Sequence, residues 1–166
     1  MLVQSVFYED TIPGCNRKDP FSSYYRKTGA QPRIHETITN IGNPSSVLLY
    51  NELLFISLFM ENKILLGSLS NRTVSGFADG SYCATNRHGK VVCGIVEGPW
   101  GMNTYNEALY VSQFGSDQVL LFSLQRHNFG WFIDSFGDSD HLDCPEGIAV
   151  DTKKDEMYIA LSLIHI

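Results

Sequence analysis

The feature that most constrains this chain is an internal repeat marked by three prolines. Pro44, Pro99 and Pro145 each open a stretch of similar pattern, at intervals of 55 residues (44 to 99) and 46 residues (99 to 145). Matching β-prone positions follow the first two prolines at equal distances: Ile56 and Val111 after twelve residues, Ile64 and Val119 after twenty. Repeats of about 40–50 residues are typical of propellers and solenoids. The chain is therefore interpreted as a repeat array.

The stretch after Pro99 shows what one repeat contains. A Pro-Trp-Gly turn opens a short strand, and Asn106 and Glu107 turn the chain back. Two further β-prone runs follow, at residues 109–111 and 119–122. Apolar and polar residues alternate with a period of two, which indicates strands rather than helices. The repeating unit is therefore predicted to be a small antiparallel sheet, and the fold class to be all-β.

A motif in the last repeat resembles a known family. Phe136 and Gly137, a short polar linker, residues 144–151 and residues 157–160 are similar to the NHL-repeat motif. Residues 76–80 resemble the linker common in NHL arrays, and the resemblance extends over residues 43–160. It implies four-stranded antiparallel blades that pack face to face in a β-propeller.

The resemblance has departures at polar positions. Tyr50 and Tyr105 stand where the motif has the aspartate that Asp151 supplies. The aspartate that usually closes the second strand is replaced in all three repeats, by Ser57, Ser112 and Leu161. These changes leave the predicted fold intact, but they weaken the transfer of a polar or metal-binding role from the family.

The number of repeats predicts an incomplete propeller. Closure needs at least ~4 blades, so a chain with two full units and part of a third is too short to close. The expected segments are the end of a preceding blade plus a polar loop (1–42), a blade with a hairpin insertion at 81–95 (43–98), a second blade (99–144) and the start of a third (145–160). Residues 161–166 are interpreted as a non-native tail.

Charge and hydropathy exclude several classes of partner. The net charge is −6, whereas a nucleic-acid site needs clustered Lys and Arg. The most apolar run, residues 47–60, is interrupted by polar residues and is too broken to span a bilayer. No nucleic-acid partner and no membrane span are therefore predicted. The expected partners are a protein and the remaining blades of the parent propeller.

The cysteines and one sequon favour a secreted or extracellular location. Cys83 and Cys93 flank Arg87, His88 and Gly89, and a three-residue hairpin loop ending in a left-handed glycine pairs 85 with 91 and 83 with 93. A disulfide between the two is predicted, with two free thiols as the alternative. Asn71, Arg72 and Thr73 form an N-glycosylation sequon. Cys15 and Cys144 are left unassigned.

Candidate catalytic and metal-binding groups are few. An acidic linker contains Asp134, Asp138, Asp140, Asp143 and His141. Oxygen-rich loops can bind calcium, but Asp is also an ordinary turn residue, so a solvated loop between blades is favoured. The predicted inner strands offer Asn103 and Asp151 but no histidine. No metal, cofactor or catalytic residue is therefore predicted. The alternative is a metal-dependent propeller hydrolase or lyase whose site lies partly in other blades.

One face of the predicted propeller gathers candidate binding residues. The loops that lead into each inner strand share a face with the loops between the second and third strands. On this face lie the hairpin residues Arg87 and His88 and three aromatic residues, Trp100, Phe59 and Phe114. Aromatic and Arg side chains dominate interface energetics. The sequence therefore predicts a non-catalytic protein-binding or scaffolding propeller; alternatively, both Phe side chains fold under a neighbouring loop.

Overall fold

The computed structural model describes residues 41–85 and 89–162, and its strands all belong to one compact unit that begins at Asn43. Twelve strands and no helix are found in this described part. They are β1 (Pro44–Tyr50), β2 (Leu53–Leu58), β3 (Lys63–Ser68), β4 (Thr73–Asp79), β5 (Cys83–Thr85), β6 (Val91–Cys93), β7 (Pro99–Tyr105), β8 (Ala108–Gln113), β9 (Gln118–Ser123), β10 (Phe132–Phe136), β11 (Pro145–Asp151) and β12 (Glu156–Leu161).

The strands form two four-stranded antiparallel sheets and two hairpins. The four-stranded sheets have the orders β1-β2-β3-β4 and β10-β9-β8-β7, and the hairpins are β5-β6 and β11-β12. Neither four-stranded sheet closes on itself. The predicted fold class, an incomplete β-propeller of antiparallel blades, is confirmed. Residues 1–40, where the sequence predicts a preceding blade, and 163–166 of the predicted tail lie outside the described residues.

Tight turns with left-handed residues connect the strands. Asn106 and Glu107, the predicted reversal between β7 and β8, have φ values of 47° and 56°. Two consecutive residues with positive φ match the twist of the flanking strands and give a two-residue hairpin. Asn tolerates this conformation better than most residues, because its short polar side chain bonds locally. The turn therefore sets the register in which Tyr105 pairs with Ala108.

The core sits between the sheets, and both faces of β2 contribute to it. Phe55 and Ile56 are adjacent in β2 and point to opposite faces, yet both are completely buried. Each such side chain contributes about 1.5–3 kcal/mol through its transfer from water. The four β-prone positions matched by the repeat, Ile56, Ile64, Val111 and Val119, are all completely buried. A sheet covered on both faces is the arrangement of a blade within a stack.

The first strands of successive sheets lie side by side. β7 is in contact with both β1 and β11. The Ser45 hydroxyl donates to the Pro99 carbonyl at 3.0 Å, and the Asn103 side-chain amide donates to the Ile148 carbonyl at 3.2 Å. β1, β7 and β11 belong to different sheets and are joined by isolated side-chain hydrogen bonds, not by a ladder of backbone hydrogen bonds. This is the relation expected between the first strands of neighbouring blades. These three strands contain the segments that the sequence predicts as inner strands, residues 47–50, 101–105 and 148–151.

Two details differ from the predicted boundaries. Asp134, assigned from the sequence to a polar linker, lies inside β10, where it pairs with Leu121 beyond a bulge at residue 133. A bulge adds one residue to a strand and so extends β-structure into a polar segment. Strand β12 runs to Leu161, which pairs with Pro145, so the strand includes the first residue of the predicted tail. In the described ranges, no helix is long and apolar enough to cross a membrane.

Candidate functional site

Two buried serines hold each blade against the next. The Ser57 hydroxyl donates to the Trp100 carbonyl at 2.7 Å, and the Ser112 hydroxyl donates to the Glu146 carbonyl. Both serines are completely buried, and both carbonyls belong to the residue after a repeat proline. The two residues that replace the aspartate of the family motif therefore make the same contact between blades. The Ser57 contact fixes the position of the Trp100 backbone relative to the first blade.

The turns between second and third strands are tied to the start of the next blade. The Gly98 amide donates to Asn62 Oδ1 at 2.7 Å, and the Cys144 amide donates to Asp117 Oδ1 at 2.9 Å. All four residues have positive φ, between 48° and 60°. The two turns therefore repeat one local geometry. Three of the predicted binding residues, Phe59, Trp100 and Phe114, lie at this end of the sheets, which is here called the rim.

Three aromatic rings meet at this rim and are here called the three-ring cluster: Phe59, Trp100 and Phe114. The Phe59 ring packs edge-on against Trp100, with 5.0 Å between centroids, and edge-on against Phe114, at 5.5 Å. Trp100 and Phe114 are 5.9 Å apart. Edge-to-face pairs of this kind contribute about 0.5–1.5 kcal/mol beyond their buried area. The sequence placed these residues on one face, and the structure brings them into contact.

Each ring of the three-ring cluster is half-buried. The Phe59 ring lies against Gly98, where an added Cβ would come within 3.0 Å of the ring. Part of each ring therefore packs on protein and part remains open to solvent. Met60, next to Phe59 in the same turn, is 71% exposed. Sequence reasoning missed Met60, since a single methionine in a turn carries no pattern.

The support beneath the three-ring cluster is rigid. Gln113 is completely buried at the end of β8, where its side chain accepts a hydrogen bond from the Glu97 amide and donates one to the Ile95 carbonyl. The Phe114 amide donates to the Gly98 carbonyl at 2.9 Å. A buried side-chain amide whose oxygen and nitrogen both have hydrogen-bond partners strongly favours one conformation of the segments that it joins. The segment before Trp100 is therefore fixed against the end of β8 and against Phe114, the residue that follows it.

Carboxylates flank the three-ring cluster. Glu61 follows Met60 and is exposed; its side chain accepts a hydrogen bond from the Asn43 amide at 3.0 Å. The exposed Glu97 side chain passes over Gly115, next to Phe114. Lys63, which begins β3, lies at the same end of the first sheet. Two carboxylates and one ammonium group are thus found near the rings.

The hairpin β5-β6 carries the predicted disulfide. Cys83 pairs with Cys93 in the ladder, and their sulfurs are bonded at 2.06 Å. Both cysteines are exposed, whereas Ala84 and Val92 on the opposite face pack against the core. Gly89 has a φ of 76°, as the predicted loop requires. The two other predicted binding residues, Arg87 and His88, lie outside the described residues.

The only metal-ligand grouping among the described residues consists of Asp117, Asp143 and Cys144, whose candidate ligand atoms lie within 4.8 Å of one another. Loss of solvent raises the pKa of the Cys144 thiol, and its hydrogen bond to the Asp143 carboxylate raises it further. Asp117 already accepts the Cys144 amide. These contacts give the group a structural role in the turn.

The middle of the acidic linker is exposed to solvent. Asp138 and Asp140 are exposed. His141 Nδ1 lies 2.6 Å from Asp138 Oδ1, and this hydrogen bond lowers the pKa of the Asp138 carboxyl. The contact joins two residues of one loop. It orders the connection between β10 and β11.

The polar side chains of the predicted inner strands, Asn103 and Asp151, form hydrogen bonds with backbone groups. Asn103 Oδ1 accepts the Thr104 amide at 2.7 Å, while its amide group bonds the next blade. Asp151 Oδ1 accepts the amides of Lys153 at 2.9 Å and Lys154 at 3.3 Å. Both side chains are therefore engaged in holding turns and neighbouring blades.

Comparison with known proteins supports the fold alone. No family model and no curated protein matches the chain. Among solved structures it is similar to the hydrazine synthase of Kuenenia stuttgartiensis, with 19% identity and a TM-score of 0.54 over 81% of this chain and 33% of that one. It also matches Myxococcus xanthus glutaminyl cyclase (15% identity, TM-score 0.47, 72% of this chain and 50% of that one). A chain of a nidogen/laminin complex matches with 14% identity and a TM-score of 0.35, over 73% of this chain and 56% of that one.

The chain thus spans between 33% and 56% of the length of these structures. The hydrazine synthase likeness supports a propeller-like fold. At this identity it carries no information on activity, because one fold hosts many unrelated functions.

Proposed function

We propose that this chain is part of a non-catalytic, protein-binding β-propeller of the NHL type. The observation that carries the proposal is the three-ring cluster with exposed Met60 beside it, on a rim fixed by hydrogen bonds. The NHL assignment is supported by the motif at residues 136–160. Ser57 and Ser112 stand where that motif usually has an aspartate; the contact that they repeat between blades supports stacked blades, not the family.

The physical case for binding is preorganisation. Trp is among the side chains that contribute most to interfaces, and Trp100 is already held by the two Phe rings. Binding of a partner at Trp100 would therefore cost little side-chain conformational entropy. Met60 supplies an exposed, flexible apolar side chain, and methionine adapts to irregular surfaces. The rings act as the anchor and Met60 as the adaptable contact.

The charge around the cluster indicates the chemistry of the partner. Two carboxylates, Glu61 and Glu97, and one cation, Lys63, lie near the rings, and the whole chain has a net charge of −6. Complementary potentials guide association and reject like-charged surfaces. The proposed partner is therefore a protein segment that combines an apolar anchor with Lys or Arg. Arg87 and His88, which lie between β5 and β6 in the sequence, remain predicted contacts.

The alternative of a metal-dependent hydrolase or lyase has no specific observation in its favour. Asn103 and Asp151, the polar residues of the described inner strands, hold backbone groups. Enzymes of that kind would need ligands from blades outside this sequence. The binding function is therefore the better supported one.

A peptide array tests this function with the purified chain as the probe. The array carries apolar peptides flanked by Lys and Arg, the same peptides flanked by Glu, and neutral versions. The probes are the wild type, Met60→Glu and the control Trp131→Glu. Trp131 is 66% exposed in the connection between β9 and β10, at the other end of the strands.

We expect the wild type to bind the basic apolar peptides, and Met60→Glu to lose at least about tenfold in affinity, which corresponds to about 1.4 kcal/mol. Trp131→Glu should bind as the wild type does. Preference for the acidic peptides would overturn the proposed partner chemistry. An equal loss of affinity in Met60→Glu and Trp131→Glu would show that the peptides do not bind at the three-ring cluster.

A further inference from the structure

The one N-glycosylation sequon of the chain occupies an exposed turn. Asn71 and Arg72 lie between β3 and β4, Thr73 begins β4, and all three residues are exposed. Arg72 has a φ of 55°, so the backbone turns sharply outward at the sequon. The similar triplet at Asn43 has proline in its middle position, which excludes modification. Asn71 is therefore an accessible acceptor.

Strand β4, which begins at the sequon, is an exposed edge. Within the described residues β4 pairs only with β3. Residues 73–76 are all exposed, Val74 to 40%, and an added Cβ on Gly76 would meet no atom within 4 Å. An open strand edge presents unpaired amides and carbonyls and can pair with another chain. This edge therefore needs protection.

The corresponding edge of the second blade is protected differently. β10 has five residues and carries Asp134, whereas β4 has seven residues and no charge before Asp79 at its end. Charged residues and short length are the usual devices against edge pairing. Along its first four residues β4 lacks both. A bulky polar group at Asn71 would protect the edge of β4 against pairing with another chain, which the sequence of β4 itself does not do.

We propose that Asn71 carries an N-linked glycan and that this glycan shields the edge of β4. In the transfer, the Asn71 side-chain nitrogen forms a bond to the anomeric carbon of a lipid-pyrophosphate-linked oligosaccharide. The bond from that carbon to the pyrophosphate oxygen breaks, and the pyrophosphate leaves with the electron pair. The nitrogen loses one proton to solvent. The exposed Cys83–Cys93 disulfide requires the same oxidising compartment.

The glycan would not obstruct the proposed binding site. The turn containing Asn71 follows Ser68 at one end of β3, whereas the three-ring cluster adjoins Lys63 at the other end. Six strand residues span about 17–20 Å. The glycosylation proposal is thus independent of the proposed function, and either one can fail alone.

Import into endoplasmic-reticulum microsomes tests the modification. The full chain is translated behind a cleavable signal peptide, and its mass is compared before and after treatment with a peptide N-glycosidase. The variants are Asn71→Gln, Thr73→Ala and Thr73→Ser, the last of which keeps the hydroxyl that the sequon requires. We expect the enzyme to remove one glycan from the wild type and from Thr73→Ser, and none from the other two. An unmodified wild type would overturn the proposal.

Light scattering on protein secreted from eukaryotic cells tests the shielding. Association should be faster for Asn71→Gln than for the glycosylated wild type. Adding Val74→Lys, which places a charge on the same edge, should return the variant to the wild-type rate. If loss of the glycan leaves association unchanged, or the lysine does not correct it, the glycan does not protect this edge.

Discussion

Gly101 in β7 is the position at which the packing of one blade on the next can be tested most severely. A Cβ added there would overlap the Glu146 carbonyl oxygen and come within 3.1 Å of the Gly147 Cα in β11. Both obstacles are backbone atoms, which cannot rotate away as a side chain does. Gly101→Ala must therefore separate β7 from β11 or leave a severe overlap.

The size of the effect follows from overpacking and from the contacts that would be lost. Forcing one extra methyl group into a packed core costs about 1–3 kcal/mol. The Gly101 amide also donates to Ser112 Oγ at 2.8 Å, and the same hydroxyl holds Glu146. The matched control is Gly76→Ala in the exposed strand β4, where the added Cβ meets nothing within 4 Å. A Gly→Ala change at an unstrained site stabilises by about 0.4–1 kcal/mol.

The two variants should therefore differ by about 1.5–4 kcal/mol in free energy of unfolding. Urea unfolding followed by circular dichroism measures this difference. With a slope of about 2 kcal/mol per M, in the middle of the usual range, the midpoints should differ by roughly 0.7–2 M. Equal midpoints would refute the close approach of β7 and β11. A loss in Gly76→Ala as large as in Gly101→Ala would show that the glycine backbone, not the packing, sets the effect.

Three further predictions concern single contacts. Ser112→Ala leaves the Glu146 carbonyl without its buried donor and should cost about 1–3 kcal/mol in urea unfolding. The hydrogen bond from Tyr105 to Asp155 raises the pKa of the phenol. Its stabilisation is therefore complete below pH about 10 and is lost as the pH rises through the raised pKa. The pKa of Tyr158 is raised too, by its hydrogen bond to Glu156, so a spectrophotometric titration should lose one of its late-titrating tyrosines in Tyr105→Phe and keep the other. Replacing both disulfide cysteines by serine should destabilise the β5-β6 hairpin by up to about 3 kcal/mol, seen as faster amide exchange there and not in the four-stranded sheets.

Local sequence pattern was sufficient to predict the blades and their core. The spacing from Pro44 and Pro99 selected Ile56 and Val111 as equivalent strand positions, and both are completely buried. The opposition of Cys83 and Cys93 followed from loop length and one glycine. Such features depend on residues close in the chain, where turn geometry fixes the register.

Contacts between blades could not be predicted in the same way. Ser57 and Ser112 were visible in the sequence only as departures from a motif, yet each bonds a carbonyl of the next blade, 43 and 34 residues away. Their role depends on the distance between sheets, which periodicity does not specify. The exposure of Met60 likewise depends on how its turn meets the rings of Phe59 and Phe114.

The measurement that tests the central claim most directly is site-specific photo-crosslinking at the three-ring cluster. A photoreactive residue replaces Met60 in one sample and Trp131 in another; these two side chains are 71% and 66% exposed, at opposite ends of the strands. Each sample is illuminated with the best-binding basic apolar peptide. We predict an adduct at position 60 that excess wild-type chain abolishes, and none at position 131. Equal adducts at both positions, or an adduct at 131 alone, would contradict the account.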